Sequence, residues 1–204
     1  MRVGVFGGAF DPVHLGHLVL AEHAREAAQL DEVWFLPSYK PPHKTDRALS
    51  KFDQRCDLVT LATAGQPAFK LEPIERELPP PSYTAETLAE LRRRHPGASF
   101  HLLLGADSFL DLPNWYEPAR VVEQAELVVV GRPGFLETLD EAAVGKVVRA
   151  IHRPFTLKLV ACPLIDISSR DLRRRVAEGR SVRFLVPRAV EEYVREKGLY
   201  RGGP

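Results

Sequence analysis

Cysteine is scarce in this chain: 204 residues contain two, Cys56 and Cys162, more than a hundred positions apart. That separation gives neither a disulfide framework nor a metal-ligand spacing, and it suits buried or indifferent thiols in a reducing compartment. Long apolar runs are missing too. Nothing approaches the roughly 20 residues needed to span a bilayer, and the N-terminus reads directly into a strand rather than a signal peptide. A soluble, cytoplasmic protein is expected. Charge of one sign is not in excess, because 28 basic and 27 acidic side chains leave a formal net charge of +1. Broad attraction to nucleic acid or to a membrane is therefore not expected, and any anion must be met by a local cluster. No G-x-G-x-x-G turn for a dinucleotide and no Gly-Lys-Ser/Thr of a P-loop occurs. Internal repeats, low-complexity stretches and a Ser-His-Asp set are also absent.

What is present reads as a globular chain, 45% hydrophobic and 27% charged, long enough to bury a substantial core. Short apolar runs predict strands over 3–6, 33–36, 69–71, 100–104, 127–130 and 155–161, the last with period-two alternation. Helices are expected between and after them, over 18–28, 50–64, 83–95, 118–124, 137–151, 169–178 and 187–198. Ser50 and Asp53 have capping-box spacing, with Cys56, Val59 and Thr60 continuing one face. Ser82 is expected to cap the helix at 83–95, and the last helix has Pro187 at its start and Gly198 at its end. Strands alternating with helices, and apolar enough for burial on both faces, give an α/β fold. The expected architecture is a Rossmann-like doubly wound parallel sheet with helices on both faces. Residues 1–204 are expected to form one domain, with C-terminal helices from about 168 packed on it. Such sheets bind ligands outside the carboxyl ends of their strands.

One stretch organises the rest: Gly7-Gly8-Ala9-Phe10-Asp11-Pro12-Val13-His14-Leu15-Gly16-His17. A strand that breaks at a glycine pair and re-enters as a helix brings backbone N–H groups and a helix N-terminus to the sheet edge, a seat for phosphate. His14 and His17, three positions apart, can grip a polyphosphate through their ring N–H groups. Taken by themselves, the two histidines fit a tight turn with surface imidazoles better than a phosphate grip. The whole string resembles the G-x-F-x-P-x-H-x-G-H signature of the nucleotidyltransferase superfamily, which transfers AMP or CMP onto a phosphate. Every fixed position is filled from Gly8 to His17.

A second segment, Asp166-Ile167-Ser168-Ser169-Arg170-Asp171-Leu172-Arg173, begins a helix at the same expected sheet edge. Ser168 and Asp171 have capping-box spacing, Leu172 and Val176 should face the core, and Arg170 and Arg173 share a face. Arg174 and Arg175 read as a solvated face. Serine hydroxyls and an arginine fork at a helix start suit the outer phosphates of a triphosphate. The segment resembles the I-S-S-T-x-I/L-R motif of the adenylyl-transferring branch. Arg170 stands where that motif has Thr, which removes a hydroxyl contact expected of the family.

The intervening segments resemble bacterial nicotinate-nucleotide adenylyltransferase: Pro37-Ser38-Tyr39-Lys40-Pro41-Pro42-His43-Lys44, Ser82-Tyr83-Thr84, Gly105-Ala106-Asp107-Ser108 and Pro113-Asn114-Trp115-Tyr116. The resemblance implies ATP plus nicotinate mononucleotide giving nicotinate adenine dinucleotide and pyrophosphate. It implies ATP contacts from Gly7, Gly8, Ala9, Phe10, His14, His17, Gly105, Asp107, Ile167, Ser168, Ser169 and Arg173, with His14, His17 and Arg173 catalytic. The mononucleotide would meet Lys44, Tyr83, Thr84, Trp115 and Tyr116, with Trp115 stacking on the pyridine ring. Read without the family, Asp107 is equally a helix cap, and Trp115 is more often a core residue or surface anchor than a stacking platform. Lys40 and Lys44 are phosphate contacts or solvated loop charges, and Arg132 is a further candidate on the adenine side. Mg²⁺ is expected to arrive on ATP, since no carboxylate cluster suggests a dedicated site. The rivals are a phosphopantetheine adenylyltransferase, an enzyme accepting both pyridine mononucleotides, and a nucleotide-sensing module without turnover.

Overall fold

The computed structural model describes residues 1–40, 49–131, 139–163 and 165–201. Six parallel strands form one sheet: β1 (Arg2–Gly8), β2 (Glu32–Pro37), β3 (Phe69–Leu71), β4 (Ser99–Gly105), β5 (Glu126–Gly131) and β6 (Leu157–Ala161). Their order is β3-β2-β1-β4-β5-β6. The chain therefore leaves β1 in one direction, returns, and continues from β4 in the other. That reversal opens a crevice at the carboxyl ends of β1 and β4, which pair from Arg2 with Ser99 to Val5 with Leu102.

Two-sided burial explains why the strands are almost continuously apolar. Val3, Val5, Trp34, Leu36, Leu102, Leu104, Leu127 and Val129 pack on one face. Phe6, Val33, Phe35, Leu103, Val128 and Val130 pack on the other. Neighbouring residues alternate between two cores because the side-chain period of a strand is two. The first core is closed by α3 (Thr84–Arg94), α4 (Ala106–Asp111), α5 (Pro118–Gln124) and α6 (Glu141–Ile151). The second is closed by α1 (Leu15–Ala27), α2 (Phe52–Thr63), α7 (Ser169–Ala177) and α8 (Arg188–Glu196). The C-terminal helices thus complete a layer, through Leu172, Val190 and Val194.

Several local expectations are corrected. Helix α1 starts at Leu15, three residues before the expected 18, because the backbone turns helical directly after His14. Ser50 and Asp53 do not form a capping box. The Ser50 N–H donates to Asp11, and the Lys51 N–H donates to Gln54 Oε1 at 3.2 Å. The buried face of α2 is Arg55, Leu58, Val59 and Thr63, while Thr60 is exposed. Ser82 does not cap α3: its hydroxyl accepts the Lys40 N–H and bonds the Glu75 carboxylate. Alternation fails in β6, where Lys158 and Leu159 are both exposed on an edge strand. Helix α6 begins at Glu141, with Asp140 accepting the Ala143 N–H at 2.7 Å. In the second motif Ser168 does cap α7, accepting the Asp171 N–H.

Candidate active site

The link from β1 to α1 is buried over Phe10, Asp11, Pro12, Val13 and His14, which is unusual for a loop. Carbonyl groups withdrawn from water in this way favour donors from the rest of the protein. The donors come from distant parts of the chain. Arg55 donates to the Ala9 carbonyl at 2.9 Å, the Ser169 hydroxyl to Pro12 at 2.8 Å, and Arg173 to Asp11. Phe10 sits in the left-handed region at φ 48° with its ring beneath Gly8. A Cβ on Gly8 would stand 3.0 Å from that ring, so glycine is what lets the chain double back here.

The two histidines are stacked, with ring centroids 3.7 Å apart at 27°. The His14 N–H donates to His17 Nδ1 at 3.2 Å. An accepting Nδ1 puts the His17 proton on Nε2, leaving that N–H as the donor at the ring's far side. His14 is 6% exposed, and burial lowers its pKa to about 4, so the ring is neutral at physiological pH. Its Nδ1 is enclosed with no hydrogen-bond partner, and a Cβ on Gly16 would approach it to 3.1 Å. The glycine between the histidines makes room for the imidazole.

Residues of this loop border two cavities. One, about 570 Å³, is lined by His14, His17, Gly105, Asp107, Ile167, Ser168 and Ser169 among others. The other, about 290 Å³, is lined by Gly7, Gly8, Ala9, Glu75, Tyr83, Thr84, Trp115 and Tyr116 among others. Gly105, at the end of β4, borders both. Of the residues singled out in sequence for ATP, His14, His17, Gly105, Asp107, Ile167, Ser168 and Ser169 border the larger cavity, whereas Gly7, Gly8 and Ala9 border the smaller one beside Tyr83, Thr84, Trp115 and Tyr116. Trp115 packs one side against the first core while lining the smaller cavity. Tyr116 is exposed and stacks on Tyr83 at 4.3 Å. The start of α3 brings Tyr83 and Thr84 to the same cavity, where the first N–H groups of a helix lack intrahelical acceptors, while the Glu86 and Thr87 N–H groups donate to the Tyr83 carbonyl.

Not every expected residue reaches a cavity. Phe10 is buried below the loop and borders neither. Arg173 is directed to the Asp11 carbonyl and is not among the residues bordering either cavity. Ser169 borders the larger one, but its hydroxyl is committed to Pro12. Both brace the histidine loop. Lys40 is exposed, with its N–H on Ser82. Lys44 and Arg132 lie outside the described residues.

The cytidylyltransferase-like family model matches residues 5–175, which spans all of this machinery. A probable nicotinate-nucleotide adenylyltransferase of Thermomicrobium roseum is 44% identical over 200 residues, covering 98% of this chain and 92% of the relative. The chain belongs to the nicotinate-nucleotide adenylyltransferase family. A family member from Thermus thermophilus is 43% identical over 201 residues, covering 98% and 100%. Among solved structures, Plasmodium falciparum nicotinic acid mononucleotide adenylyltransferase complexed with NaAD has a TM-score of 0.77 at 21% identity, covering 98% and 97%. That likeness bears on the adenylyltransferase fold, and the sheet described above shares it.

Two site residues of this family member escaped the sequence reading. Arg55 is 1% exposed and donates to three main-chain carbonyls: Ala9, Ser38 at 2.7 Å and Ser50 at 3.1 Å. It ties the loop after β1 to the loop after β2, with Asp11 and Glu75 near enough to favour its charge against burial. A clue existed, since Arg55 falls on the same helical face as Leu58 and Val59. Glu75 is buried beside the smaller cavity, accepting from the Tyr39 N–H at 3.0 Å, the Thr87 hydroxyl and Ser82. Burial pushes its carboxyl pKa up while those bonds hold it down. Nothing in the sequence around Glu75 distinguishes it.

Two outcomes follow from this geometry. Arg55→Met leaves three half-buried carbonyls without this donor and should cost about 2–4 kcal/mol in chemical denaturation. Arg55→Lys, with one head group for three acceptors, should recover only part of that loss. Wild-type stability in the Met variant would contradict the brace. For His14, the unfolded chain takes up a proton near pH 6.5 and the folded chain near pH 4. Stability should therefore fall as pH drops through that window, by about 3 kcal/mol at most, and His14→Gln should flatten this limb of the curve. A slope unchanged in the variant would contradict the buried neutral ring.

Proposed function

We propose that this protein transfers AMP from ATP to nicotinate mononucleotide, releasing pyrophosphate and forming nicotinate adenine dinucleotide in NAD synthesis. The observation that carries this reading is the pair of cavities that share Gly105, one bordered by His14 and His17 and the other by Gly7, Gly8 and Ala9 of the same loop. A two-substrate phosphoryl transfer needs two nucleotides meeting end to end, with the reacting phosphates at the boundary. ATP takes the larger cavity, with adenosine toward Gly105 and Asp107 and phosphates toward the α7 N-terminus at Ser168. The mononucleotide takes the smaller one, its pyridine ring against Trp115 and its carboxylate at the first-turn N–H groups around Tyr83 and Thr84. A carboxylate gains more there than a neutral carboxamide, which favours the acid substrate.

The chemistry asks little covalent work of the protein. A phosphate monoester is largely deprotonated near neutral pH, so its oxygen attacks the α-phosphorus without a general base. The new P–O bond forms in line as the bond from the α-phosphorus to the bridging oxygen breaks, and pyrophosphate leaves with its electron pair. His17, donating through Nε2, and neutral His14 hold the oxygens on the α-phosphorus where charge builds. Arg173 and Ser169 act one step back, fixing the carbonyls of the loop that carries both rings. Among the described residues no group of three or more His, Cys, Asp or Glu side chains could hold a metal. Asp107 and Asp166 border the larger cavity, which fits Mg²⁺ brought in on the ATP phosphates. That ion would neutralise phosphate charge when bound. In this reading the enzyme is a single domain that works in the cytoplasm. No described helix is long and apolar enough to cross a membrane.

The test is pyrophosphate release from ATP and Mg²⁺ with nicotinate mononucleotide, nicotinamide mononucleotide or phosphopantetheine as acceptor. Strong preference for the first is expected. Equal rates with the amide would defeat the carboxylate argument, and silence with all three would favour a binding module. Trp115→Ala should raise KM for the mononucleotide by about tenfold or more with little change for ATP. Equal losses for both would instead mean a packing role.

A further inference from the structure

The far C-terminus reaches into the histidine loop. Helix α8 ends at Glu196, and Gly198 at φ 61° turns the chain back, with the Leu199 N–H donating to the Val194 carbonyl. Tyr200 then enters the interior beside the loop. Its hydroxyl donates to Asp11 Oδ1 at 2.6 Å, across 189 positions of sequence. The other Asp11 oxygen accepts the Ser50 N–H at 3.2 Å, and the Ser50 side chain bonds the Tyr200 oxygen. Asp11 is 2% exposed, so this buried carboxylate depends on such donors. Tyr200 itself sits at φ 65°, a left-handed conformation that a tyrosine rarely adopts. Strain of that kind persists where the surroundings over-determine it, and it clusters at functional sites.

We propose that Tyr200 is a positioning residue for adenylyl transfer, its hydroxyl fixing Asp11 and through it the loop that presents His14 and His17. This rests on the adenylyltransferase reading for its activity arm alone. Burial and the neighbouring Asp11 carboxylate raise the phenol pKa, so the hydroxyl stays a donor across the working range. The link reaches the rings through the backbone: Asp11 stands three residues before His14, and its own carbonyl is the one that Arg173 holds. A tail that merely covered apolar surface would need the ring of Tyr200 but not its hydroxyl.

The experiment uses the full chain carrying Tyr200→Phe, with hydrogen–deuterium exchange and steady-state kinetics read together. Exchange over residues 9–17 should rise by about tenfold while β4 stays as protected as in wild type. The kcat/KM for ATP should fall by about tenfold or more in the same folded protein. Exchange and kcat/KM within twofold of wild type would overturn the proposal, as would exchange rising equally in the loop and in β4. Should Tyr200→Phe fail to fold, Ser50→Ala decides, since it removes only the hydroxyl behind Tyr200. A loop-confined rise in its exchange supports the proposal, and no loop-confined change overturns it. Absence of turnover in wild type would defeat the adenylyl-transfer reading, while the exchange data would still decide whether Tyr200 positions the loop.

Discussion

A buried loop that cannot satisfy its own carbonyl groups is the constraint on which this structure turns. The chain leaving β1 must pass beneath the crevice so that His14 and His17 stand at its boundary, and burial takes its main chain out of water. An interior carbonyl without a donor costs of order 1–3 kcal/mol. Here Ala9, Asp11 and Pro12 are answered by Arg55, Arg173 and Ser169, from helices α2 and α7. The Ser38 N–H answers Gly8 from the end of β2. Segments far apart in sequence converge because one short loop has polar groups to hide.

The same convergence sets up the chemistry. Donors that hold the loop from beneath are two arginines and a serine, with the Asp11 and Glu75 carboxylates close to Arg55. The histidines above add N–H groups without adding full charge, since burial keeps His14 neutral. Glu75 does for the second wall what Arg55 does for the first. Its carboxylate gathers Tyr39, Ser82 and Thr87, joining the chain after β2 to the start of α3 around the smaller cavity. Rigid placement of two substrates, rather than a proton-transfer device, is what this arrangement supplies.

Much of this was legible in the residues themselves. Apolar runs buried on both faces announced a parallel sheet, and the order of turns fixed which loops share its carboxyl edge. The string from Gly7 to His17 and the segment from Ile167 to Arg173 carry local chemistry, so spacing alone marks them. Glu75 and Tyr200 were not legible, and Arg55 only as a charge on a buried helical face, because their decisive partners, Tyr39, Asp11 and Ala9, come from other segments of the chain. The misread caps have the same cause. Ser50 and Ser82 have the spacing of helix N-caps, yet tertiary partners, Tyr200 and Glu75, recruit their hydroxyls. Arg173 and Ser169 were identified as important for a phosphate contact, whereas their hydrogen bonds go first to the loop.

The most direct measurement is nitrogen-15 NMR of the histidine side chains during titration with a non-hydrolysable ATP analogue and nicotinate mononucleotide. His14 and His17 are assigned by their Gln variants. The account predicts that these two rings shift together on ATP-analogue binding, with His14 remaining neutral well below pH 6. Resonances of both rings unmoved at saturation, or His14 titrating near pH 6.5, would contradict a buried loop built to present them to phosphate.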